Sequence, residues 1–346
     1  MVPLGYRVVG MLGCVMYGAG LFVSSWLTKD QGDLAGFLIG GLAGLGSTFL
    51  FLTAVVPPLE YFTKKRLCAI AIVRSGQVIG VEGMLFLYFH TRLMEDNSLV
   101  FKWEHNFRYQ LIPLGVAFLC CTTLTPLELR CSDSRESFAG RIIQNLDWKF
   151  LKDKLLYLIL ALAFLERLGK QLVLNRYKDL IDTVDRANSN AKGILSNYPG
   201  LGEVFGLGLL ASCCCCRGWK TKTVLITLGV LNIWSGVAVC LVPTTNSFVI
   251  VASCGAYIGL CKGLFSSLID NTIPDTFGNR NVRIVEGALW LAAGIAEIVL
   301  IHVQDAIFDT YGSRIDLIKA SFYVGGGLMI LTGKTAIITG CQMSKT

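Results

Sequence analysis

Glu203, Glu286 and Glu297 are carboxylates set inside long apolar runs, and Arg74, Arg167 and Lys262 are cations set the same way. Ionisable groups inside a membrane are costly, face a cavity or a partner, and mark ion or substrate paths. A desolvated carboxylate takes up a proton more readily than one in water. A path lined by such groups therefore suits proton and solute movement. Glu203 is the best candidate proton carrier. Arg167 and Lys262 are candidate cations on that path, and Glu297 joins them. The competing reading is structural, with charges buried as pairs that lock helices together. Arg74 and Glu82 lie two turns apart and project to one side. Glu166 and Lys170 have the i,i+4 spacing of an intrahelical pair, although Lys170 also suits snorkelling to the interface. Arg74, Glu82, Glu166 and Glu286 are assigned to structure. Glu286 stands close to three whole turns from Glu297 on the same helix.

The elements that must carry these residues are transmembrane helices. A run of about 20 apolar residues spans a bilayer core of about 30 Å. Such runs fill the chain at roughly 6–27, 34–56, 67–90, 108–125, 154–174, 191–213, 222–243, 247–269, 283–303 and 318–340. Of the 346 residues 53% are hydrophobic and 16% charged, against about 25% charged in soluble domains. The expected fold is all-α and polytopic, with ten spans divided four plus six. Residues 1–125 form the N-terminal bundle, 126–153 a polar cytoplasmic loop, and 154–346 the C-terminal bundle. With the N-terminus inside, the inner loops and ends carry 17 basic residues and the outer ones 10, so both termini are expected in the cytoplasm. The net charge of +7 is read as this loop bias and not as nucleic-acid binding.

Glycines recur within the spans, most clearly Gly36, Gly40, Gly41, Gly44 and Gly46. Small residues at such spacing let helix backbones approach in lipid. Cysteines in apolar runs act as small hydrophobes. The Cys213–Cys216 tetrad at a span end is a candidate for palmitoylation or a plain cysteine-rich helix end. Phosphate-binding loops, nucleophile turns and metal-ligand pairs are missing from the sequence. No enzyme activity, metal or cofactor is expected.

Three segments resemble the monocarboxylate transporter family of the major facilitator superfamily. One runs from Gly44-Leu45-Gly46 through Glu60-Tyr61-Phe62-Thr63-Lys64-Lys65-Arg66 to Ala69, Gly76 and Gly80. Another is Ile307-Phe308-Asp309-Thr310-Tyr311-Gly312-Ser313, followed by Ala320-Ser321-Phe322-Tyr323 and Gly325-Gly326-Gly327. The third is Leu4-Gly5-Tyr6-Arg7. The resemblance implies that the first span is the family's third helix and the last its twelfth. It also implies a chain lacking the family's first two helices, either a naturally short protein or an incomplete or alternatively spliced product. Lys65, Arg66, Gly76, Gly80, Asp309 and Gly312 are the residues matching family motifs. Glu203 matches the family's acidic residue, and Leu207 stands where the family has a substrate-pairing arginine.

The resemblance thus implies a proton-coupled secondary transporter of a small organic solute, a monocarboxylate in the family, working by alternating access at the plasma membrane. A single-span ancillary protein or a full-length relative is the implied protein partner. The alternative is a non-transporting interaction or regulatory protein, which the missing arginine favours.

Overall fold

The computed structural model describes residues 5–27, 31, 34, 37–62, 65–94, 103–123, 152–182, 197–213, 220–245, 247–278, 281–311 and 314–342. These form ten α-helices: α1 (Gly5–Ser24), α2 (Gly44–Tyr61), α3 (Arg66–Met94), α4 (Trp103–Thr123), α5 (Lys154–Asp182), α6 (Tyr198–Cys213), α7 (Thr221–Leu241), α8 (Phe248–Phe277), α9 (Val282–Tyr311) and α10 (Arg314–Gln342). A π-helical turn, Leu38–Ala43, leads into α2, and a 3-10 turn, Val242–Thr244, follows α7. The ten expected spans fall on these ten helices in order. The loop expected at 126–153 lies, apart from Lys152 and Asp153, outside the described residues, as do Gly312 and the side chains of Glu82, Asp309 and Cys213–Cys216.

Helix is the outcome because lipid offers no hydrogen-bond partner to a backbone, which must therefore satisfy itself within each span. Among the described residues, six helical stretches are long and apolar enough to cross a bilayer: Tyr6–Ser24, Leu38–Tyr61, Thr221–Thr244, Phe248–Phe277, Val282–Gln304 and Ile315–Gln342. Several helices outrun their expected ends. α5 continues to Asp182 and α8 to Phe277. The added turns carry polar residues such as Asn175, Asp179, Asp270 and Asp275. Hydropathy ends a span at such residues, but backbone hydrogen bonding does not.

Contacts divide the chain into two compact units. The first comprises Met1–Pro57 and Gly83–Trp148; the second comprises Pro58–Glu82 and Lys149–Thr346. The sequence division placed residues 58–82 with the first bundle. In the structure Glu60, Arg66 and Arg74 of that stretch form ion pairs with α8 and α9, which joins them to the second unit.

Within the first unit α1 packs against α4 and α2. A Cβ built on Gly46 would fall on the backbone of Tyr17, and one on Gly10 would strike Cys121 Sγ. Gly46 thus acts in packing as its spacing suggested, whereas a Cβ on Gly40 would meet open space. Tyr17 also donates to Gln110 Oε1 of α4 at 3.0 Å.

The second unit is built on two close crossings. On α7 and α10, Lys222, Gly229 and Gly236 stand opposite Gly340, Gly333 and Gly326 in antiparallel register, so that a Cβ on either member of each glycine pair would strike the other's backbone. The seven-residue interval keeps both rows on the facing seam. On α6 and α8, Cβ atoms on Gly202 and Gly259 would overlap the carbonyls of Ala256 and Pro199. Without a hydrophobic drive between helices in lipid, such backbone contact supplies the packing energy. The core between α5, α7, α8 and α10 includes Val173, Tyr177, Ile258, Phe322 and Met329. Tyr177 donates its buried hydroxyl to Val251 O at 2.8 Å.

Candidate functional site

Several charged side chains of the second unit meet in pairs, most of those described below across helices. The α6–α8 crossing sets the first pair. Gly263 lies against the Glu203 backbone, which brings Lys262 Nζ to 2.8 Å from Glu203 Oε2. Glu203 and Lys262 were read from sequence as separate candidates, proton carrier and substrate cation; the structure makes them partners. Leu207, one turn beyond Glu203, is fully buried and presents no cation, so Lys262 is the positive group beside this acid.

The second pair joins α5 to α9. Arg167 Nε donates to Glu297 Oε1 at 2.8 Å, and the two side chains are 36% and 37% exposed. Both residues stand near the midpoints of their helices. A charge on an apolar helix that protein does not cover favours water over acyl chains around it. Glu166 and Lys170, one turn apart on α5, pair with each other and are buried. The Lys170 ammonium lies 5.1 Å from the centroid of the Phe265 ring. Lys170 therefore points into the protein and does not snorkel.

The α8–α9 turn sets a third group. Gly278 ends α8 at φ 78°, a left-handed conformation open to glycine, and its N–H returns to Pro274 O at 3.0 Å. The Asn281 side-chain amide donates to Phe277 O at 2.8 Å. This reversal turns α9 back along α8 and lines their charges up against residues 60–74. Arg283 grips both oxygens of Glu60, through Nε at 2.6 Å and Nη2 at 2.9 Å. Arg66 donates through Nη1 to Asp275 Oδ1 at 2.8 Å and through Nε to Phe62 O at 3.0 Å. Arg74 donates to Asp270 Oδ2 through Nε at 3.1 Å and Nη2 at 2.6 Å. The order along one strand of residues is 60, 66, 74, and along the other 283, 275, 270.

Arg74 was read from sequence with Glu82, whose side chain lies outside the described residues. The structure gives Arg74 a partner in Asp270, which sequence reasoning missed because Asp270 fell one residue past the expected span end. Glu60 was read only as part of a motif, Asp275 lay past an expected span end and Arg283 at the start of one, so none was taken as a partner. The reversed order of opposite charges in the two segments was the available signal. Among the family-motif residues, Arg66 enters an ion pair, Lys65 is exposed, and Cβ atoms on Gly76 and Gly80 would meet open space. Among the described residues, no cluster of His, Cys, Asp and Glu could hold a metal ion. An open groove of about 410 Å³ on α6 and α8, lined by Tyr198, Leu201, Phe205, Tyr257 and Leu260, carries no ionisable acid or base of the charged pairs.

The fold is shared with solved transporters. The chain aligns with an outward-facing major facilitator transporter, FucP, at a TM-score of 0.62 and 11% identity, over 97% of this chain and 84% of that one. With the proton:xylose symporter XylE the TM-score is 0.66 at 14% identity, over 96% of this chain and 79% of the other. With the human organic anion transporter MFSD10 it is 0.65 at 16% identity, over 96% and 77%. No protein-family sequence model matches the chain. Identity at this level establishes the fold. The chain has the major facilitator fold and is an integral membrane protein with several spans.

Proposed function

We propose that this chain is a secondary transporter of a small organic solute that works by alternating access, with protons as the coupling ion. One observation carries the reading: Arg167 and Glu297 are paired at mid-helix yet more than one third exposed. Charges this open on apolar helices suit a water-filled path between them. The proton symporters FucP and XylE and the organic anion transporter MFSD10 share the fold and support it.

In this reading Glu203 carries the proton and Lys262 replaces the cation that Leu207 cannot supply. Protonation of Glu203 releases Lys262 to meet a solute carboxylate, and loss of the proton restores the pair and expels the anion. A monocarboxylate is the proposed solute class, on the resemblance in motifs. The four-plus-six division, cytoplasmic termini and plasma-membrane location belong to the same proposal.

The test is proton-driven uptake into proteoliposomes across lactate, pyruvate, ketone bodies and aromatic acids. Uptake above empty vesicles that falls in Glu203→Gln supports the reading. No uptake of any of them favours the interaction or regulatory reading instead.

A further inference from the structure

Three charged side chains meet inside the second unit, and their charges do not balance. Arg74 of α3 binds Asp270 of α8, and its guanidinium carbon lies 5.6 Å from the centroid of the Trp290 ring. Glu286, one turn before Trp290 on α9, places its carboxyl group within hydrogen-bonding reach of the Asp270 carboxyl. Asp270 is 3% exposed and Glu286 1%. Neither oxygen of Glu286 receives a hydrogen bond from any described residue. One guanidinium thus faces two carboxyl groups.

The neighbouring charges are already matched. On α5, Glu166 and Lys170 pair with each other near Cys261 and Phe265. On α8, Lys262 is held by Glu203 and Asp275 by Arg66. On α9, Arg283 is held by Glu60 and Glu297 by Arg167. None of these groups supplies the second positive charge that two ionised carboxylates need.

Burying an uncompensated carboxylate is strongly unfavourable, and two carboxyl groups in contact do not both ionise. A hydrogen bond between them needs a proton on one. We propose that Asp270 and Glu286 hold a single exchangeable proton between them, which makes this cluster a proton-binding site distinct from Glu203. The proton gives Glu286 the hydrogen-bonded neighbour it otherwise lacks and brings the cluster to neutrality with Arg74. Its two carboxyls titrate as one unit. The inference goes beyond the transport reading and does not depend on it, since the proton is bound whether or not a solute moves.

Infrared titration of the full chain in lipid vesicles tests this, with the proton itself as the probe. The readout is the C=O stretch of protonated carboxyl groups, which shifts in deuterated buffer. The wild-type protein is expected to show one such band at neutral pH that bleaches as pH rises, and Glu286→Gln is expected to abolish it. The glutamine amide supplies a donor where the proton did, so this variant should fold. Glu286→Asp keeps the acid one methylene shorter, and its band should move in frequency. Wild-type protein labelled with carbon-13 glutamate gives a variant-free check, since the pair's band should shift at least in part. Absence of a protonated carboxyl band at neutral pH overturns the proposal. So does a band unaltered in both Glu286 variants, or unmoved by the glutamate label. No solute enters the measurement, so failure here leaves the transport reading standing, and failure of uptake leaves this one standing.

Discussion

Arg283 clasps Glu60 across 223 residues of sequence, with both carboxylate oxygens engaged at 2.6 and 2.9 Å. Their side chains are 15% and 11% exposed. Such bidentate geometry is the strong form of an ion pair. With Arg66–Asp275 and Arg74–Asp270 it forms a row of three that fastens residues 60–74 to the α8–α9 hairpin. Removing one partner of a buried pair costs about 3–5 kcal/mol, because the other charge is left unpaired.

Glu60→Ala should therefore lower the melting temperature in detergent markedly, and the swap Glu60→Arg with Arg283→Glu should recover part of the loss. Thermal unfolding followed by fluorescence measures both. A swap no more stable than the single variant would show that the pair does not act as a unit.

The α6–α8 crossing should not accept a larger residue at Gly259. A Cβ there would overlap the Pro199 carbonyl, and overpacking costs about 1–3 kcal/mol or more. Gly259→Val should reduce the yield of monodisperse protein in size-exclusion chromatography. Gly208→Ala on α6, where a Cβ would meet nothing within 4 Å, is the matched control and should behave as wild type.

Under the transport reading, Lys262→Met should weaken solute uptake more than Lys170→Met does. Lys262 is 31% exposed and held by Glu203, which leaves it open to a solute under the proposed function, whereas Lys170 is buried against Glu166 and Phe265. Loss of one charge-assisted contact, about 1.5–3 kcal/mol, corresponds to about tenfold or more in apparent affinity. Uptake kinetics in proteoliposomes give the comparison, and equal effects of the two substitutions would count against Lys262 as the solute's partner.

Cys341 lies exposed in the last turn of α10. Cytoplasmic termini predict that a membrane-impermeant maleimide labels it in inverted vesicles and not in intact cells. The difference between wild type and Cys341→Ser isolates this site from the other cysteines. Labelling from outside intact cells would reverse the orientation read from the basic loops.

The medium, the ten helices of the described residues and the crowding of glycines were legible in the chain, because they are sums over local residue types. Desolvating a backbone or a charge costs much the same wherever the residue later lies, so ten apolar runs announced ten helices, and Gly46 announced a close contact. The Glu166–Lys170 spacing was legible for the same local reason. Which charge meets which across helices was decided only by the tertiary structure. Arg74 sits 196 residues from Asp270, and only the fold brings the two together. Glu203 and Lys262 read as two lone groups until the glycine-lined crossing of α6 and α8 made them one pair. Coulomb attraction acts over a few ångströms of space, and sequence spacing measures such distances only within a turn or two of one helix.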